Sequence, residues 1–72
     1  MCLSVPARVL SIEDGVATVE SMGVRRTLRL ELAEEPIQPG DYVLHSLGYV
    51  HQRLSAEEAL QTLALFDSLL HA

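Results

Sequence analysis

From Val5 to Ile12 the chain is rich in β-branched and aliphatic residues, Glu13-Asp14-Gly15 interrupts the run, and Val16-Ala17-Thr18-Val19-Glu20 resumes it. Apolar stretches joined by such turn residues predict a β-hairpin. Ser21-Met22-Gly23 offers a second turn. From Val24 to Leu32 apolar and polar positions partly alternate, with Leu28, Leu30 and Leu32 on one face and Arg29 and Glu31 on the other, so a third strand is expected. Pro36 and Pro39 exclude a central strand between Ala33 and Gly40, because proline brings no N–H to a ladder. Pro39-Gly40 then turns the chain into a fourth strand that begins at Asp41 and runs to about Val50, bent at Gly48.

Beyond Val50 the period changes. Ala59, Leu60, Leu63, Phe66 and Leu70 recur at three- and four-residue steps, the spacing of one helix face. Ser55-Ala56-Glu57-Glu58 has the form of a capping box, with the Ser55 hydroxyl on the amide of residue 58 and Glu58 reaching back to the Ser55 amide. A helix over Ala56 to Leu70 is predicted. Leu65 and Leu69 widen its apolar face beyond one stripe, more than a small barrel covers, which leaves surface for a partner or a second copy. Four or five short strands closed by one amphipathic helix define a mainly β class: a small, partly open OB-like β-barrel over about 3–50 with a C-terminal α-helix over about 56–70. At 72 residues, with no repeat or linker, residues 1–72 read as a single domain.

Charge narrows the function. Ten acids face five arginines and no lysine, a formal net charge of −5. Nucleic-acid binding draws on Lys and Arg against phosphate, so DNA, RNA and anionic membrane are poor partners; a basic protein suits the overall balance better. No apolar run approaches the length needed to span a bilayer, and the N-terminus lacks the pattern of a signal peptide, so a cytoplasmic location is expected. With one cysteine, Cys2, no internal disulfide forms.

Cys2 is the first candidate for chemistry. With Met1 excised it carries an α-ammonium beside its thiol, which favours the thiolate, a soft ligand for low-valent iron, copper or zinc. The plainer alternative is a small buried hydrophobe. His45 and His51 flank Gly48 and His71 is penultimate, but Cys2, His45 and His51 lack the close ligand pairing of structural zinc modules. Cys2 and His45 meet only if the N-terminus folds back over the fourth strand. Arg25-Arg26, extended by Arg29, reads as a solvated strand face, and Glu31, Glu34 and Glu35 as a loop exterior. There is no glycine-rich phosphate loop and no serine elbow. On its residues the chain is not expected to be an enzyme.

Met1-Cys2-Leu3-Ser4-Val5-Pro6-Ala7-Arg8-Val9 resembles the N-terminal signature of the hydrogenase-maturation chaperones of the HypC/HupF/HybG family: Met-Cys, an aliphatic, a tiny residue, an aliphatic, Pro, then Gly or Ala. Val24-Arg25-Arg26, Gly40-Asp41-Tyr42-Val43-Leu44, Gly48-Tyr49 and Ser55-Ala56-Glu57-Glu58-Ala59 follow that family in order and spacing. The resemblance implies an OB-like barrel and a non-enzymatic accessory protein for nickel-iron hydrogenases. It implies binding to a HypD-like iron-sulfur scaffold, a transient hold on iron carrying cyanide and carbon monoxide, and delivery to the hydrogenase large-subunit precursor. By that analogy Cys2, with Met1 removed, contacts iron and both partners, and His45 is a second candidate ligand. The family's strand histidine, however, falls at Ser46 in the Gly48 register. A one-residue shift turns a strand side chain to the opposite face, so either a bulge restores the geometry, the role is lost, or His51 takes it over.

Overall fold

The computed structural model describes residues 5–70. Cys2 and His71 lie outside the described residues. Five strands, β1 (Ala7–Glu13), β2 (Val16–Ser21), β3 (Val24–Arg29), β4 (Tyr42–Ser46) and β5 (Tyr49–Leu54), close into a barrel in the order β1-β2-β3-β5-β4, and α1 (Ala56–Leu70) follows. The interior is filled by Ala7, Val9, Ala17, Val19, Leu28, Val43 and Val50, contributed by all five strands. Their two-residue spacing within β1 and β2 follows from the pleat, and small β-branched residues suit so narrow a barrel. Leu10 is the extra residue of a bulge, since Val9 pairs with Val19 but Ser11 with Thr18.

The barrel is closed, where a partly open one was expected, yet the closure is thin. A single parallel bridge, Arg29 to Tyr49, joins β3 to β5, and the Arg29 N–H donates to the Gly48 carbonyl at 2.9 Å. The expected fourth strand is two strands. Leu47 and Gly48, with φ of 55° and 85°, form a two-residue turn of the kind that reverses a hairpin, so β4 and β5 pair antiparallel across it. The third strand ends at Arg29, short of Leu32. Beyond it the Leu30 N–H donates to the Gly15 carbonyl, Leu30, Ala33 and Ile37 pack on the core as a loop, and Leu32 faces solvent.

At the helix start the Glu58 N–H donates to Ser55 Oγ at 3.1 Å, and that hydroxyl donates to Glu58 Oε1 at 3.0 Å. The return contact of the cap thus goes to the hydroxyl rather than to the Ser55 amide. Only Ala59 of α1 is buried; Leu63 and Phe66 are half-buried, while Leu60, Leu65, Leu69 and Leu70 are exposed. Among the described residues no helix is long and apolar enough to cross a membrane.

Candidate functional site

Where β3 and the β4–β5 hairpin touch only at the single bridge, they splay apart around a cleft of about 560 Å³. Leu28 and Val5 contribute apolar wall, and Arg26, His45, Ser46 and Leu47 surround it. Two alternations aim the polar groups inward. Arg26 lies two residues before buried Leu28, and His45 two after buried Val43, so each shares the face of its core neighbour.

The β1–β4 ladder fixes what lies beside His45. Ala7 pairs with Val43 and Arg8 with Tyr42, and the same antiparallel register continued two residues sets Val5 across from His45. The His45 ring is hydrogen bonded to the Val5 backbone. Val5 is three positions along the sequence from Cys2, so covalent reach alone limits their Cα separation to about 11 Å. Val5 thus lies beside His45, while Cys2 itself is outside the described residues.

Burial pushes the His45 imidazole below its ordinary value of 6.5, and the Arg26 guanidinium and His51 act in the same direction, against the bond to Val5. His45 is consequently held in the neutral form, the form that ligates a metal ion. Arg26 adds a positive charge to the cleft. Among the described residues no three His, Cys, Asp or Glu side chains converge as a ready-made metal site.

Ser46 occupies the other face of β4. Its Oγ and His51 Nε2 are hydrogen bonded at 2.8 Å. The ladder is regular from Ser46–Tyr49 to His45–Val50 and slips only before Leu44–Gln52, making His51 the extra residue; its free carbonyl accepts the Glu34 N–H at 3.1 Å. No bulge turns His45 onto the face of Ser46. Instead, the His51 imidazole sits against the Ser46 hydroxyl. Of the arginines, Arg29 lies 6.0 Å over the Tyr49 ring and is ion-paired with Glu31, on the solvated face anticipated for it. Arg26 was missed as a cleft residue, although its two-residue offset from Leu28 carried that signal.

Residues 1–66 match the HupF/HypC family. The chain belongs to the HupF/HypC family. It is similar to the hydrogenase maturation factor HypC of Helicobacter hepaticus, at 37% identity over 73 residues covering 100% of this chain and 85% of that protein. It also resembles the HypC of Cupriavidus necator, at 40% identity over 96% of this chain and 77% of that one. The HypC of Azotobacter chroococcum is 36% identical over 96% and 82% respectively. These HupF/HypC relatives are named maturation factors rather than enzymes.

Proposed function

We propose that this chain is a hydrogenase maturation factor that holds an iron centre bearing cyanide and carbon monoxide and passes it, without catalysing a reaction, from a HypD-like scaffold to a hydrogenase large-subunit precursor in the cytoplasm. The observation that supports this reading most is the β1–β4 register, which sets Val5, three positions along the sequence from Cys2, beside His45 in a cleft that also holds Arg26. In this reading the Cys2 thiolate is the soft ligand that suits low-spin iron, and Met1 is removed. His45 supplies an imidazole at the cleft that Val5 lines. Iron is cargo here, so the ligand set is incomplete by design: a site with few protein ligands releases its metal to the next protein.

The test is anaerobic co-isolation of the tagged chain with a HypD-like partner, with iron determined on the complex. Cys2→Ala is expected to lose both partner and iron, and His45→Gln to keep the partner with less iron. A second reading, an acidic docking module in which Cys2 is inert, draws support from the exposed leucines of α1. It predicts that Cys2→Ala binds the partner as the wild type does.

A further inference from the structure

All three two-residue hairpin turns set both residues in left-handed backbone: Asp14-Gly15 (φ 51° and 74°), Met22-Gly23 (51° and 83°) and Leu47-Gly48 (55° and 85°). Such turns favour Asn-Gly or Asp-Gly, and Asp14-Gly15 conforms. Met22 and Leu47 do not. Each holds a large apolar side chain where Cβ crowds the backbone, and Leu47, at 92% exposure, gains no packing from it. Both departures flank the same cleft, and the turn that obeys the rule does not. At Leu47, strain without a local return marks contact with something else.

The cleft also exposes a strand edge. In an antiparallel hairpin alternate residues direct their N–H and C=O groups toward the partner strand and away from it. The bond from the Arg29 N–H to Gly48 fixes the phase, so Thr27 and Arg25 likewise point away from β2. Among the described residues no strand pairs with this side of β3 between Val24 and Thr27.

Charge selects the occupant. The cleft lining includes Arg26 and His45 and no carboxylate, in a chain with ten acids. On the outer face Glu20 lies across from Arg25, and Glu31 pairs with Arg29, so Arg26 is the guanidinium left facing the cleft. The overall charge of −5 favours a basic partner, but this surface has the opposite preference.

We propose that the cleft beside β3 docks an extended acidic segment of a partner protein, which adds a strand along Arg25 and Thr27, sets a carboxylate against Arg26 and packs apolar side chains against Met22 and Leu47. Strand addition supplies the affinity through main-chain bonds and the flanking pockets supply the specificity.

The test is an amide-resolved titration of the full chain with a short peptide alternating glutamate and valine, and with its lysine–valine counterpart. In the free chain the Arg25 and Thr27 amides exchange rapidly. The glutamate peptide protects them and shifts Met22 and Leu47, while the lysine peptide does not bind. Arg26→Glu weakens binding about tenfold or more, through like charge in place of opposite charge. Thr27→Pro abolishes it while sparing the β2 ladder, because the N–H it removes points outward; the fold of each variant is checked by its β2 amides. Peptide binding is read on the iron-free chain with no HypD-like protein present, so its failure is distinguishable from failure of the iron-carrying role. Equal binding of both peptides, no binding of the glutamate peptide, shifts confined to α1, or protected Arg25 and Thr27 amides in the free chain would each overturn the proposal.

Discussion

Replacing Leu47 by asparagine is expected to stabilise the protein. Leu47 sits at φ 55° at the first central position of the β4–β5 turn, where a non-glycine residue costs about 1–2 kcal/mol and asparagine is among the side chains that tolerate the conformation best. The substitution forfeits little burial, since the leucine is 92% exposed. Recovering about 1 kcal/mol raises the melting temperature of a domain this size by about 4–8 °C, readable by differential scanning calorimetry. Asp14→Leu, which moves the same mismatch into the turn that now lacks it, should lower the melting temperature by a similar amount. If Leu47→Asn leaves the melting temperature unchanged or lowers it, the residue is stabilising rather than strained, and the argument for its being kept for contact fails. Stability gained where a partner is contacted is expected to weaken docking, so the same variant should bind the glutamate–valine peptide less tightly.

Other consequences follow from the core, the cap and the half-buried histidine. Val43→Ala, at a fully buried position, should cost about 2 kcal/mol in denaturant unfolding, from lost transfer energy and a residual cavity. Ser55→Ala removes a cap worth about 1 kcal/mol, and because α1 buries only Ala59 the loss should appear as reduced helical circular dichroism with the barrel transition little moved. The lowered His45 value means that the unfolded chain binds its proton more readily. Its contribution is present above pH 6.5 and disappears as pH falls through the depressed folded value, so the acid-side slope of stability should flatten in His45→Gln.

The helix was readable because two independent signals agreed, the Ser55–Glu58 cap and the three- and four-residue recurrence of its leucines. Strand positions were readable from β-branched runs, but two ends were not. Leu30 and Leu32 continue the apolar alternation of β3 after the strand has ended, but Leu30 packs on the core from a loop and Leu32 is exposed, so the pattern marked neither pairing nor, at Leu32, burial. Leu47-Gly48 concealed a hairpin because leucine is not the residue such a turn selects, so Gly48 alone read as a bend. At the site, His45 was legible as a residue type, but its place beside Val5 depends on the β1–β4 register, a non-local pairing that spacing does not encode. The Ser46–His51 bond depends instead on the local β4–β5 hairpin and the bulge at His51, neither of which the Leu47-Gly48 turn announced.

The most direct test of an iron-carrying role is infrared spectroscopy of the chain isolated anaerobically after co-production with a HypD-like partner, comparing wild type with Cys2→Ala. Cyanide and carbon monoxide stretches fall where protein scarcely absorbs. The account predicts both bands with the wild-type chain and neither with Cys2→Ala. A wild-type chain that binds its partner yet carries no bands, or a Cys2→Ala chain that retains them, would contradict it.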